Sequence, residues 1–599
     1  MVYRHLAAPF LVAASAVAPA FFPPAERPST TPIKHVIVVV GENHTFDNVF
    51  ATYVPKAGQT VDNLLSKGII TATGAPGPNF SLGRQRIGSN GTGAPVQYRA
   101  ETASVAAYAA LPQPYTKGAL GQPASALDER FPADMPNGPF QITKYVPYLA
   151  YTGDPAHGFF QMWQQVDAGR NDKFVWVAAT IGGGSNGAPY PSEGFNPKEG
   201  ALSMGFYNMN PYRDASGIDH PGDAAFFKRL ADGYAMSDNY HQSVMGGSGA
   251  NFQMLVAGDV AFYTSPTRLD GSPAAPPAYQ IEDPNPAPGS TNYYLKDGAA
   301  SGAYVACGDP TRPGVAGIDA VLRRYAISRN NCAAGRHYAV NNRTLYWNQT
   351  SAKPRAVGPT STVLPPQGNP TIADVMTANG VSWKFYSGDR GDDVTKFSTE
   401  VDGVPLAFHN YCGLCDPLTA YSRIMRTPTE EAKLQNYGAF LRDVAAGSLP
   451  AVSYVRPFLA LGGHPAISHA GLYEQFLSRL IARVQANRSL WATTAIIVTF
   501  DEGGGYYDSG YVQPIDFFGD GSRVPFIVVS PWARRGYVDH TYADHASILK
   551  FIERNWSLPK ISSRSRDNLP NPVTNAADPY RPRNRPAIGD LMKLFSFGG

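Results

Sequence analysis

The sequence predicts an α/β fold built on a largely parallel sheet. Three observations carry that reading. Six short runs rich in β-branched and aromatic residues recur along the chain. Helix-patterned stretches lie between several of them. Two of the runs end directly in acidic and amide residues followed by a bendable loop. Strands alternating with helices make layered α/β domains, and such domains place their ligands beyond the carboxyl ends of the strands.

The six runs are IKHVIVVV (33–40), KFVWVAA (173–179), VSWKFY (381–386), AVSYV (451–455), TAIIVTF (494–500) and RVPFIVVS (523–530). All are continuously apolar rather than alternating, the pattern of strands covered on both faces. Before the fifth run, Leu472, Phe476, Leu480 and Val484 recur every four residues, a helical stripe turned to a core. After the sixth, Ile548, Leu549, Ile552 and Trp556 mark a second core-facing helix. The stretch 260–368 differs: it is rich in Pro, Gly, Ser and Asn. A structureless loop of that length does not suit a compact domain, so it is expected to be an insertion or cap. The domain reading is therefore a core of residues 31–259 and 369–599 with 260–368 inserted.

Composition narrows the function. Charged residues make up 16% of the 599 and the net charge is only +3. With no long basic run, nothing points to nucleic acid as a partner. Arg4 and His5 precede an apolar run from Leu6 to Ala20 that ends Ala18-Pro19-Ala20. This predicts a signal peptide over residues 1–20 and a protein delivered outside the cytoplasm. The run is short for a membrane span, and no later segment is long and apolar enough to make one. The four cysteines fit that address. Cys307 with Cys332, and Cys412 with Cys415, are expected to form two local disulfides. A redox Cys-x-x-Cys and a four-cysteine zinc site are the alternatives.

Chemistry concentrates at two strand ends. The first run is followed by Gly41-Glu42-Asn43-His44, and the fifth by Asp501-Glu502-Gly503-Gly504-Gly505. Adjacent carboxylates repel, and a cation is the natural way to keep both ionised. Glu42, Asn43, Asp501 and Glu502 offer hard oxygen donors suited to a divalent metal. Each acid alone could equally cap a helix or hold a turn. Ser248 stands in Gly246-Gly247-Ser248-Gly249 with Asn251 after it. A serine opening a helix can serve as a nucleophile beside an anion-favouring helix end, or simply as a cap. His157, His409, His464 and His545 are candidates for holding a second metal, for acid–base work or for holding phosphate oxygens.

Taken together, four ordered segments resemble the bacterial phosphoesterase family of acid phosphatases and phosphatidylcholine-type phospholipases C, within the alkaline-phosphatase-like superfamily. They are IKHVIVVVGENHTFDNVFATY, the stretch from MGFYNMN to QSVMGGSGANF, LWATTAIIVTFDEGGGYYD, and RVPFIVVSPWARRGYVDHTYADHASILKFIERNW. The resemblance implies an alkaline-phosphatase-like sandwich. It also implies a metal, of unstated identity, on Glu42, Asn43, Asp501 and Glu502. Ser248 would be the nucleophile that takes a phosphoryl group. His464 would be the phosphate-binding or acid–base residue, with His157 and His409 as further active-site histidines. The substrate would be a phosphate ester, with a phosphomonoester favoured over a phospholipid head group. Two positions depart from the family pattern. Gly503 stands where the family has a histidine after Asp-Glu, and Ser509 where it has one after Tyr-Asp. A sulfatase-like hydrolase would need a Cys/Ser-x-Pro-x-Arg signal, which Ser248-Gly249-Ala250-Asn251-Phe252 does not provide. A binding protein without catalytic metal is the non-enzymatic alternative.

Overall fold

Five of the six apolar runs become strands of one eight-stranded sheet. The computed structural model describes residues 26–598, apart from 91–98, 116–125, 182–198, 264–274, 277–280, 283–290, 293, 295–296, 299–301, 313, 328–330, 349–352 and 356–362. The signal peptide expected over residues 1–20 lies outside the described residues.

In chain order the strands are β1 (His35–Gly41), β2 (Ala235–Ser237), β3 (Trp383–Ser387), β4 (Leu434–Asn436), β5 (Val452–Arg456), β6 (Thr494–Phe500), β7 (Phe526–Val529) and β8 (Tyr537–Asp539). Their spatial order is β4-β3-β5-β1-β6-β7-β2-β8. Every neighbouring pair is parallel except the two made by β7, which alone runs the other way. β1 and β6 pair from His35↔Thr494 through Gly41↔Phe500 without a slip. Glu42 and Asp501 therefore leave the sheet at the same level. The sheet thus brings together two segments more than 450 positions apart in the sequence.

The helices used below are α1 (Phe159–Val166), α2 (Phe174–Ile181), α3 (Ser248–Ala257), α4 (Val315–Arg324), α5 (Ala470–Ala486) and α6 (His545–Trp556). Successive side chains of a strand point to opposite faces. Val40 and Tyr454 share a small buried cavity with Phe252 and Leu255 of α3. On the other face, the space a side chain at Gly41 would need is filled by the Tyr473 ring of α5, only 2.4 Å from an ideal Cβ. Helices α3 and α5 thus cover the sheet from opposite sides, which is why its central strands read as unbroken apolar runs. The stripe on α5 is buried at Phe476, Leu480 and Val484, while Leu472 is half-buried at its edge. Helix α6 buries Ile548, Leu549, Ile552 and Trp556 in the same core and packs on α3.

One expected strand is a helix. The run 173–179 folds as α2, whose residues from Phe174 to Ala178 are all buried. A run apolar all round cannot report its own period, so it suits a buried helix as well as a buried strand. Lys173 at its start is fully buried, and its ammonium holds Asp167 at 2.9 Å and Asp172 at 2.6 Å.

In the stretch 260–368, a three-stranded antiparallel sheet sets His337–Ala339 between Phe262–Tyr263 and Tyr304–Val305. The same stretch holds helix α4, the Cys307–Cys332 disulfide and a parallel pair of short strands, Thr344–Leu345 and Val363–Leu364. These elements share a second apolar cluster with α1, through Phe160, Trp163, Val315 and Ile318.

Candidate active site

The carboxyl ends of β1, β5 and β6 are tied to the loops around them by backbone bonds. The Asp501 amide donates to Gly41 O at 3.0 Å, the Glu42 amide to Gly462 O at 2.9 Å and the His44 amide to Glu502 O at 3.1 Å. Asn43 follows β1 in the left-handed region, with φ 66°. Asparagine is among the few residues that tolerate this.

Two histidines converge on Asn43. The Asn43 Nδ2 group lies 3.1 Å from His464 Nε2 and 3.4 Å from His157 Nε2. In both rings Nδ1 faces a carbonyl at 2.6 Å, Pro465 O for His464 and Pro155 O for His157. A carbonyl can only accept, so Nδ1 carries the proton and Nε2 accepts from the amide. That fixes the orientation of Asn43 and leaves Oδ1 buried with no hydrogen-bond partner. His157 Nε2 also lies 3.7 Å from Glu502 Oε1. For His464, burial is the largest influence and disfavours charge. Asp154, Glu42 and the Pro465 carbonyl outweigh it and hold the ring above its ordinary value.

Asp501 and Glu502 are fully buried. Asp501 Oδ1 accepts from the amides of Glu502 (2.8 Å) and Asn43 (3.3 Å). Asp501 Oδ2 and Glu502 Oε2 have no partner. Burial, then the charge of Glu42, pushes Asp501 up to about 8. Burial, then Asp501, pushes Glu502 well above the carboxylate range. Three partnerless buried oxygens, on Asn43, Asp501 and Glu502, make a donor set that fits a hard divalent cation, whose charge would return both acids to the ionised form. Among the described residues, the one group of three potential ligands within 4.8 Å of one another is Glu42 with Cys412 and Cys415. Those two sulfurs are joined in a disulfide and offer no thiolate. Glu42, Asp501 and Glu502 therefore do not all bring an oxygen within that distance of one another.

Ser248 begins α3, and its hydroxyl donates to Glu502 Oε1 at 3.2 Å. Asn251 shapes the turn that presents it: Nδ2 donates to Val244 O and Gly246 O, while Oδ1 accepts from the Val244 amide. Two glycines let the loop after β6 close on this centre. Gly504 (φ +59°) and Gly505 (φ +73°) are both left-handed, and a Cβ on Gly505 would sit 2.3 Å from Ala156 O, beside His157.

The structure therefore gathers Asn43, Asp501, Glu502, Ser248, His157 and His464 by direct contacts. Glu42 stands at the edge, turning Oε1 to Arg456 Nη2 at 3.3 Å and to Cys415 Sγ at 3.2 Å. His409 joins none of the other seven: Nδ1 lies 2.6 Å from Asp389 Oδ1 beyond β3, farther along the same sheet edge. His545 supports the centre from behind, with Nε2 donating to Asp501 O at 2.6 Å and Nδ1 accepting from Tyr240. Both positions that depart from the family pattern have local neighbours. A Cβ on Gly503 would meet Thr45, and the Ser509 hydroxyl donates to Asp47. Sequence reasoning missed Arg456 and Asp154, strand-end and loop charges with no motif around them.

A model of the Phosphoesterase family matches residues 33–559. The chain belongs to the Phosphoesterase family. Its relatives include the non-hemolytic phospholipase C of Pseudomonas aeruginosa, 26% identical over 38% of this chain and 33% of that protein. Phospholipase C A of Mycobacterium tuberculosis is 29% identical over 36% of this chain and 46% of that one. A probable acid phosphatase of Kluyveromyces lactis is 27% identical over 36% and 48%. The matched part of this Phosphoesterase family member thus spans a third to a half of the length of these relatives. Among solved structures, an alkaline phosphatase superfamily protein from Vibrio parahaemolyticus is 12% identical over 57% of this chain and 62% of that one, with a TM-score of 0.25, too low to bear on the fold.

Proposed function

We propose that the chain is a metal-dependent hydrolase of phosphoric esters, acting as a phosphomonoesterase through Ser248. The observation that carries this reading is the Ser248 hydroxyl at 3.2 Å from Glu502, inside a donor set of partnerless buried oxygens and two histidines. Family membership and relatives named phospholipase C and acid phosphatase support the class of reaction. A leader-like N-terminus and two disulfides support action outside the cytoplasm.

Asn43, Asp501 and Glu502, with Glu42 at the edge, would hold a divalent ion, which would supply positive charge to offset that of the phosphoryl group. The residues do the rest. Ser248 Oγ gives its proton toward Glu502 Oε1 and attacks phosphorus in line, forming a phosphoseryl group. In its protonated form, which Asp154 and Glu42 favour, His464 turns Nε2–H away from the Asn43 amide and toward the leaving alcohol as the proton donor. His157, buried against Glu502 and Asn43, orients the amide and excludes water. Water then releases phosphate from Ser248.

The test compares hydrolysis of nitrophenyl phosphate with that of the phosphorylcholine diester of the same phenol, across pH, before and after chelation. The expected result is faster monoester turnover that chelation abolishes and a divalent ion restores. Ser248→Ala should lower turnover by about three orders of magnitude or more with an unchanged circular dichroism spectrum. Faster diester turnover would assign the chain to the phospholipase C side. No turnover of either ester with metals restored would leave the binding-protein reading.

A further inference from the structure

The inserted stretch delivers a charged group to the serine turn. Asn342 Oδ1 accepts from the Gly249 amide at 2.8 Å, and a Cβ on Gly246 would lie 1.9 Å from Val340 O. The turn that presents Ser248 is thus packed against backbone following His337–Ala339. The next residue is Arg343. Its Nη2 lies 3.7 Å from the Cβ position of Gly249, directly after the serine. The strand that follows, Thr344–Leu345, packs on the Gly413–Cys415 turn, whose Cys415 reaches Glu42. Arg343 is therefore flanked in the chain by Asn342, bound to the nucleophile turn, and by the strand packed on the turn that carries Cys415.

Its surroundings are unusual for an arginine. Arg343 is 5% exposed, and its Nε and Nη1 are buried without hydrogen-bond partners. Among the described residues no carboxylate pairs with it. Its guanidinium carbon lies 5.6 Å from the ring centroid of Tyr304. Burial draws it down to about 10, against an opposing effect of Tyr304. Among the described residues, the other buried arginines each pair with a carboxylate: Arg523 and Arg566 with three, Arg390 with Asp416, and Arg456 with Glu42, although Nε and Nη1 of Arg456 are also partnerless. A buried guanidinium without an anion is costly, and the missing partner of a planar fork of N–H donors is a carboxylate or a phosphate.

Resting on the phosphoesterase reading, we infer that Arg343 is a substrate-binding residue that takes the non-bridging oxygens of a terminal phosphate dianion and so selects phosphomonoesters over diesters. A diester brings one negative charge to this position and a substituent in place of one oxygen. A monoester brings two charges and an unsubstituted edge for the fork.

The experiment compares wild type with Arg343→Lys and Arg343→Ala, using nitrophenyl phosphate, its phosphorylcholine diester, and inorganic phosphate as inhibitor. For Arg343→Ala, kcat/KM on the monoester should fall about 100-fold or more, with a large share in KM. On the diester it should fall less than about tenfold. Inhibition by phosphate should weaken at least tenfold, and added guanidinium ion should restore part of the monoester rate. Arg343→Lys keeps the charge but not the fork and should fall between. It also decides the matter if the alanine variant does not fold. Equal losses on the two esters, or unchanged phosphate inhibition in a folded variant, would overturn the inference. Wild-type chain inactive on both esters would instead sink the phosphoesterase reading. Calorimetric phosphate binding that Arg343→Lys weakens would then still support the anion site alone, and unweakened binding would overturn it.

Discussion

At the scale of single residues, burial decides which groups respond to acid. His241 is fully buried, stacked on Tyr542 with ring centroids 4.3 Å apart and held by Gly521 O and Asn239. Burial lowers it from 6.5 to about 3. The unfolded chain binds a proton here between pH 6.5 and 3 and the folded chain does not. This ring's contribution is therefore intact above pH 6.5 and is lost as pH falls toward 3. Between pH 7.5 and 5 the loss is about 2 kcal/mol. His241→Gln should accordingly lose about 2 kcal/mol less than wild type over that interval, whatever its stability at pH 7.5. Urea unfolding at the two pH values measures this difference, and parallel pH profiles would refute the assignment. His409 is the opposite case. Its hydrogen bond to Asp389 raises it against a small opposing effect of burial. The stabilisation it brings is present below 6.5 and fades as pH rises through its folded value. His409→Gln should therefore destabilise the protein at pH 6 and leave it nearly unaffected at pH 9, read from the same unfolding curves.

At the scale of elements, the glycine loop after β6 is where sequence and structure meet most closely. Gly505 is left-handed, and a Cβ there would meet the Ala156 carbonyl, a backbone atom that cannot swing away. Gly505→Ala should cost about 2 kcal/mol or more, from backbone strain and the clash together. It should reduce turnover further by pushing the Pro155–His157 segment off Asn43. Thermal unfolding and kcat on the same preparation check both effects, and a variant with unchanged kcat would show that the loop does not position His157. This loop was legible because three consecutive glycines after two acids have few other uses. The unbroken register of β1 and β6 was legible too, as two apolar runs each ending at an acid. The helix at 174–181 was not, because a run buried all round carries no period. Strands β2, β4 and β8 have three residues each and too little pattern to read. Asp154 and Arg456 reach the site from a loop and a strand end, where only the fold sets their neighbours.

At the scale of the whole molecule, two buried arginines tie distant segments around the site. Arg523 joins Asp47 after β1 to Asp508 beyond the glycine loop, with Asp62 at its edge. Arg566 comes from the chain that follows α6. Its guanidinium reaches Asp516 and Asp520 at 2.6 Å, the helix-capping Asp544 at 3.3 Å and Ser243 O at 2.6 Å. That set links three parts of the core: the 516–520 loop, the start of α6, and the approach to the serine turn. Removing the cation leaves the three acids buried and facing one another, with Asp520 already well above the carboxylate range through burial and Asp544. Breaking such a set from one side is much more costly than the set's own net contribution, because uncompensated charge remains inside. Arg566→Ala should therefore cost about 3–5 kcal/mol. Arg566→Lys should cost clearly less, keeping the charge while losing the fork that serves several acceptors at once. The loss in the alanine variant should also shrink at low pH, where the stranded acids protonate. Equilibrium unfolding followed by fluorescence and circular dichroism measures all three. A loss below about 1 kcal/mol at neutral pH would mean that water reaches the cluster and that the chain after α6 does not hold the serine turn in place.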